Sequence, residues 1–348
     1  MKVAVITDTH YGCRKGSKLF HDYFEQFYKN VFFPTLDEEE ITTVIHMGDA
    51  FDSRRGIEFK SLDWAKRVVF DPLKERGITM HLMVGNHDAY YKNTNSINAV
   101  DLLLKEYDNV KVYSSCTESS IDDLKVLFVP WINEENHSET VDIIQKTDAT
   151  VAMGHLELNG FKVNRQIVMD HGTESEIFDK FSRVYSGHYH TRSNNGKVFY
   201  LGNPYEMFWT DVNDSRGFTL LDTSTLEHTY VDNPYQLFHN IYYDDTDHQM
   251  FDARNFENKI VKVIVKKKSD KVKFEKFIDK LYDVGVADLK IVENYDFSGW
   301  YDKEEQDYEV EDTMTILDRY IEETETELDK SLLKSTIREI YQEACEMT

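Results

Sequence analysis

Five short motifs in this 348-residue chain carry side chains suited to holding metal ions: Asp8-Thr-His10, Gly48-Asp49-Ala-Phe-Asp52, Gly85-Asn86-His87-Asp88, Gly154-His155 and Gly187-His188-Tyr-His190. Five of the 13 histidines fall within them. A single His or Asp after a strand is ordinarily a cap or turn residue, but a series of five motifs, each closing an apolar run, needs another explanation. Imidazole, carboxylate and amide oxygen together suit borderline-hard divalent ions such as Mn²⁺, Fe²⁺ or Zn²⁺. No thiolate takes part. Residues two apart in extended chain point to the same side, so Asp8 and His10 can serve one ion together, and by the same argument so can His188 and His190. A donor set this large exceeds one open site but suits two sites sharing a carboxylate, where ions about 3.5–4 Å apart clamp a phosphate across both.

Positioning these residues requires strands that end at one edge. Apolar, β-branched runs predict strands at Val3–Ile6, Thr43–Met47, Thr79–Val84, Val110–Tyr113, Val126–Val129, Thr150–Met153, Val184–Tyr185 and Val198–Leu201. Helical patterns at Leu19–Val31, Leu62–Lys74, Ile97–Tyr107 and Ser138–Gln145 separate them, which argues for an α/β layer architecture. The carboxyl ends of strands in such folds converge on one edge, where sites form. Glycines precede Asp49, Asn86, His155 and His188, where backbone must approach a ligand closely. Gly217–Val231 reads as a closing hairpin. Past Asn233–Pro234, the runs Ile260–Val265, Val272–Val284 and Leu289–Val292 predict a small βαβ unit. Met314–Met347 has apolar residues at three- and four-residue steps, the mark of an amphipathic helix. The chain therefore divides into a catalytic domain at 1–233, a small α+β domain at 234–300, an acidic linker at 301–312 and a helical tail at 313–348.

The formal net charge of −24 by itself argues against a nucleic-acid partner, because phosphates favour basic surfaces. Nearly half of it lies in the tail, where Asp302 to Glu346 hold 16 acidic and 5 basic residues, a net of −11. Divalent cations in a carboxylate-lined pocket also reverse the local sign. Cys13, Cys116 and Cys345 stand far apart without a CxxC pair, as expected of reduced thiols in a cytosolic protein. No secretory leader pattern or long apolar run stands out, so a soluble, intracellular protein without a membrane span is expected.

In this order, the motifs from Asp8 to His190 resemble the calcineurin-like metallophosphoesterases. The resemblance implies a two-layered β-sandwich flanked by helices, with one ion held by Asp8, His10, Asp49 and His190. The second would take Asp49, Asn86, His155 and His188, with Asp49 bridging. It makes His87 the histidine that assists the departing oxygen and Asp52 the carboxylate that orients it, an arrangement that favours imidazolium. Further stretches, Gly48–Arg55, Val129-Pro130-Trp131, Gly154–Phe161 and Tyr200–Pro204, look like SbcD-type DNA exonuclease subunits, and among those like the recombination exonuclease subunits of T-even phages. Archaeal and eukaryotic members of that branch carry a second histidine where this chain has Asp52.

That likeness implies a nuclease dependent on two divalent ions, Mn²⁺ foremost with Mg²⁺, Fe²⁺ or Zn²⁺ as alternatives, acting 3′ to 5′ on duplex ends and nicking single strands, in a DNA-end processing and recombination complex. The small domain would cap and position DNA, the tail would dock on an SMC-like ABC ATPase, and the protein would be a homodimer. Lys262, Lys266, Lys267, Lys268, Lys271, Lys273 and Lys276 form a basic cluster that could meet DNA phosphates, against the alternative of an ordinary solvated surface. Tyr90, Tyr91 and Lys92 could stack on a frayed base at the site rim, or simply pack their own loop. Within the family a phosphomonoesterase or protein phosphatase, or a non-catalytic scaffold, stays open as an alternative.

Overall fold

A computed structural model describes residues 1–165 and 167–293, together with 320–321, 329–330, 332–337 and 340. The acidic linker at 301–312 and most of the tail at 313–348 lie outside the described residues. Met1–Glu293 forms one compact unit, and Asn294–Thr348 a second. In the second, residues 320–321, 330, 332–337 and 340 are helical.

The strands of the first unit begin with β1 (Lys2–Ile6), β2 (Thr43–His46) and β3 (Thr79–Met83), followed by a short ribbon of β4 (Ala89–Tyr91) and β5 (Thr94–Asn98). Next come β6 (Val110–Tyr113), β7 (Thr117–Ile121), β8 (Leu124–Val129), β9 (Val151–Gly154), β10 (Arg183–Ser186), β11 (Ser193–Asn194) and β12 (Val198–Tyr200). The remainder are β13 (Gly217–Asp222), β14 (His228–Asp232), β15 (Phe238–Asp244), β16 (Ile260–Lys267) and β17 (Asp288–Glu293).

Two six-stranded mixed sheets stack face to face, in the orders β14-β13-β1-β2-β3-β6 and β11-β12-β10-β9-β8-β7. The central strands run parallel. Their near-continuous apolar character follows from burial on both faces. In β1, Val3 and Val5 point into the space between the sheets, where they meet Val126, Phe128, Val151, Met153 and Tyr185. Ala4 and Ile6 point the other way, onto Phe20, Phe24 and Phe27 of the helix Lys18–Phe27. The second sheet repeats the logic, with Leu127, Ala152 and Val184 facing outward onto Ile144 of the helix His137–Lys146. Period-two alternation thus builds helix, sheet, sheet and helix layers.

The eight predicted strands and the Gly217–Val231 hairpin form as expected. The stretch Ile97–Tyr107 differs: only Ala99–Leu103 is helical. The Asn98 side chain accepts the Asp101 N–H at 2.8 Å and starts the helix there, and the residues before it pair with β4. The small unit also gains a strand. β15 lies parallel to β16, giving the order β15-β16-β17 with the helix Lys271–Asp283 over one face. Val261, Val263, Phe277 and Leu281 fill a separate core between them. Its first two strands are anchored at their starts, since Phe238 of β15 and Ile260 of β16 belong to the main aromatic core.

His46 of β2 is buried and uncharged, burial holding its imidazole down to about 3. The unfolded chain therefore binds a proton more readily, so this contribution is complete above pH 6.5 and is lost as pH falls below it. His46→Gln is expected to flatten the acid-side fall in unfolding free energy by about 1.4 kcal/mol per pH unit. Urea titrations through that range test this, and an unchanged slope would refute it.

Candidate metal centre

All five motifs reach the same edge, just beyond the carboxyl ends of β1, β2, β3, β9 and β10. Main-chain bonds knit these loops together: Asp8 N–H donates to the Gly48 carbonyl at 3.1 Å, His10 N–H to Asp49 at 3.1 Å and Gly187 N–H to Gly154 at 3.0 Å. Asp8, His10, Asp49 and His188 all have positive φ, at 52°, 44°, 52° and 80°. Asp and His tolerate the left-handed region better than most residues. Four such residues in one pocket mark a backbone held against its preference by its surroundings.

Two groups of donors result. Asp8, His10 and His190 offer ligand atoms within 4.8 Å of one another, and so do Asp49, His155 and His188, while His10, Asp49 and His87 make a third such set that joins the two. Asn86 joins the second, its Oδ1 lying 2.8 Å from His155 Nε2 and 3.0 Å from His188 Nδ1. Asp49 stands between the groups, with Oδ2 3.3 Å from His155 Nε2 and 3.8 Å from His10 Nε2. The spacing argument therefore fails for His188 and His190. At φ 80° His188 is not extended, so the two rings diverge, one to each group.

Hydrogen bonds outside the donor groups fix their orientation. His155 Nδ1 lies 2.9 Å from the Met47 carbonyl, which can only accept, so Nδ1 donates there and Nε2 is the nitrogen that faces the pocket. Thr7 Oγ1 donates to Asp8 Oδ2 at 2.6 Å, and His188 N–H to the same carboxylate at 3.1 Å. His87 N–H donates to Asp49 Oδ1 at 2.8 Å.

A second expectation is corrected here. The Asp52 group that meets His87 Nδ1, at 2.7 Å, is its main-chain carbonyl. Its carboxylate instead lies 3.2 Å from His10 Nδ1. The loop after β2 turns so that the Asp52 carbonyl faces the GNHD turn while its side chain crosses to the loop after β1.

The charges are those of a pocket built for cations. Burial pushes the Asp8 carboxyl up, against the pull of His155. Burial also opposes charge on Asp49, yet the His155 and His87 rings hold it well below the usual carboxylate range. His155 is lifted to about 9 because Asp49 and Asp8 outweigh its burial. His10 reaches about 9 in the same way, through Asp52 and Asp49. His188 and His190 are held well below the ordinary value by burial and by the imidazoles beside them. Protons thus stand where cations would neutralise the carboxylates. His188 Nε2 is buried without a hydrogen-bond partner, as are both His10 nitrogens, since Asp52 and Asp49 lie near them without hydrogen-bond alignment. Orphaned imidazole nitrogens converging with carboxylate and amide oxygens fit borderline divalent metal ions.

Residues to which the motif reading gave no role also shape the pocket. Asp88 is fully buried and accepts N–H bonds from Gly85 at 2.9 Å, Phe51 at 3.0 Å and Ala50 at 3.3 Å. It ties the loop after β3 to the loop after β2, while burial and Asp49 lift its carboxyl to about 6. The Trp131 ring stands 5.2 Å from that of His188 and forms one wall. Asp88 was visible as the last residue of the GNHD motif and Trp131 as the end of the Val129-Pro130-Trp131 stretch, but neither was given a part in the pocket.

The expected nucleic-acid contacts are more dispersed than the sequence cluster suggested. Tyr90 and Tyr91 are exposed on β4 and pack edge to face on each other. Lys266 lies over the Tyr242 ring at 4.8 Å. Lys267 pairs with Asp245 at 3.0 Å and Lys268 with Glu293 at 2.5 Å. Lys271 faces Glu275, and Lys262 is half-buried over Trp209. Asp245, just past β15, and Glu293, the last residue of β17, place carboxylates beside the end of β16, so Lys267 and Lys268 of the seven-lysine cluster are already paired.

A sandwich with paired donor groups at its parallel-strand edge defines a metallophosphoesterase. The family model for calcineurin-like phosphoesterases matches residues 1–192, and the chain belongs to that family. It is 35% identical over 307 residues, 87% of its length, to exonuclease subunit 1 of Enterobacteria phage T4, of which it covers 88%. Two solved structures cover 67% of the chain: a novel archaeal phosphodiesterase at 15% identity, TM-score 0.35 and 100% of its own length, and a dimetal phosphatase from Danio rerio at 11%, 0.40 and 98%. Among the described residues, no helix is long and apolar enough to cross a membrane.

Proposed function

We propose that this phosphoester hydrolase is the metal-dependent nuclease subunit of a DNA-end processing and recombination complex. It would act as a 3′–5′ exonuclease on duplex ends and as an endonuclease on single strands, with an SMC-like ABC ATPase as partner. The observation that carries the reading is the gathering of two donor groups around Asp49 in a chain similar, over most of its length, to a phage exonuclease subunit. Asp8, His10, Asp49 and His190 would hold one ion, and Asp49, Asn86, His155 and His188 the other, with Mn²⁺ the preferred metal. Two divalent ions bound there would supply Lewis acidity toward a phosphate ester and would acidify water.

The chain's own residues supply the rest. With Nδ1–H directed at the Asp52 carbonyl, His87 uses its other ring nitrogen to exchange a proton with the leaving 3′ oxygen. Trp131 closes one side of the pocket to water. Lys266 and Tyr90 contribute to DNA contact, the small sheet caps the site, and the tail serves as the docking element for the ATPase in a homodimeric assembly.

The test compares purified full-length protein with Mn²⁺ on labelled duplex DNA, single-stranded DNA and an aryl phosphate monoester. DNA cleavage is expected, and His87→Gln should slow it by about 10²–10³-fold while leaving Mn²⁺ binding in place. Robust monoester turnover without DNA cleavage would overturn the reading.

A further inference from the structure

We infer that Arg216 is a positioning residue for one of the two cation sites, the one formed by Asp8, His10 and His190; this rests on the dimetal reading above. Arg216 is buried, its side chain 3% exposed, and stands just before β13. Its Nη1 donates to the His190 carbonyl and to Asn203 Oδ1. Its Nη2 donates to Asp211 Oδ1 at 3.0 Å and Asp214 Oδ2 at 2.9 Å, while Nε has no partner. One guanidinium thus grips the backbone of His190 and two carboxylates with its rigid fork.

Each group it holds bears on the same site. Asp214 Oδ2 also accepts from Thr191 Oγ1 at 2.8 Å, fixing the residue after His190. Asp211 Oδ2 accepts the N–H groups of Met207 at 2.7 Å and Phe208 at 3.0 Å. That places the Phe208 ring nearly parallel to His190, with centroids 6.1 Å apart. Asn203 donates to the Tyr205 carbonyl at 3.0 Å, and the Tyr205 hydroxyl donates to the Thr9 carbonyl at 2.6 Å, between Asp8 and His10. Arg216 and Tyr205 therefore clamp both loops that feed this site. Among the described residues, the side-chain hydrogen bonds of Arg216 and Tyr205 run to His190, Asn203, Asp211, Asp214 and Thr9, on the side of this site and not of Asn86, His155 or His188. A buried ion pair is weak evidence for stability, but it can hold a unique geometry, and outer partners of metal ligands typically tune affinity by about 10–100-fold.

Manganese titration of the full-length protein, followed by calorimetry and by electron paramagnetic resonance, tests the inference. Wild type is expected to take up two ions with a spin-coupled signal. Arg216→Lys keeps the charge but cannot span all four acceptors, and Tyr205→Phe removes one hydroxyl without unpairing a buried charge. Both should bind one ion as wild type does and the other about tenfold or more weakly, with a six-line mononuclear spectrum replacing the coupled one. Two ions bound with unchanged affinities in Tyr205→Phe and in a folded Arg216→Lys would overturn the inference. Equal weakening of both ions would also overturn it, because the clamp is argued to serve one site. A wild type that takes up fewer than two ions would instead sink the dimetal reading.

Discussion

Asp49→Ala is expected to lower metal-dependent phosphodiester cleavage by about three orders of magnitude, the scale on which losing one preorganised electrostatic partner is felt. Asp49 lies between the two donor groups, 3.3 Å from His155 and 3.8 Å from His10. Its Oδ1 also fixes the His87 backbone through an N–H bond of 2.8 Å. The substitution would therefore loosen both cation sites and the proposed proton donor together. Stability without metal should respond to two opposed effects. Without metal, Asp49 is a buried carboxylate beside the buried carboxyls of Asp8 and Asp88, and it raises both. Removing it relieves that repulsion but also takes away the carboxylate that holds the buried His155 and His10 rings charged and that accepts the His87 N–H, so the melting temperature in a chelator should fall. In wild type, Mn²⁺ at about 100 times its Kd should add roughly 2.7 kcal/mol, and the variant should lose that gain. A variant that cleaves DNA like wild type, or that keeps the Mn²⁺-dependent stabilisation, would contradict the shared role given to Asp49.

Gly85→Ala should come close to the same loss through a single methyl group. A Cβ on Gly85 would run into both Oδ1 and the backbone nitrogen of Asp49, with Cγ of Asp49 only 2.9 Å away. Backbone cannot give way there, because Gly85 N–H is already held by Asp88 at 2.9 Å. The collision would push Asp49 out of its place, so cleavage should fall by about 10²–10³-fold. Overpacking of this kind also costs about 1–3 kcal/mol in stability. Gly56→Ala is the matched control, since a Cβ there meets nothing within 4 Å. Chemical denaturation with parallel DNA-cleavage assays would test the pair. Equal activity in the two variants would mean that the close approach of the loops after β2 and β3 is not needed.

The sequence by itself determined the strands, because each central strand is apolar on both faces and ends at a polar ligand type, a pattern that few other environments produce. It also determined the donor inventory and the edge at which the donors meet. Local spacing then stopped being informative. Asp8 and His10 do share a group, but with left-handed backbone rather than the extended backbone the argument assumed, and the same rule misplaced His188 beside His190. A left-handed residue two positions from a ligand leaves no trace in a hydrophobic pattern. The Asp52 contact failed for a related reason, since a sequence names a side chain and cannot say that its carbonyl will be the group facing His87. Seven lysines close in sequence read as a basic face, yet neighbouring segments bring Asp245 and Glu293 against Lys267 and Lys268. Arg216 was invisible altogether. It lies 26 residues from the carbonyl it holds, and only the return of β13 alongside β1 brings it there. Short-range alternation is written in the order of residues, whereas contacts across loops depend on how strands pair, and that is settled when the two sheets pack.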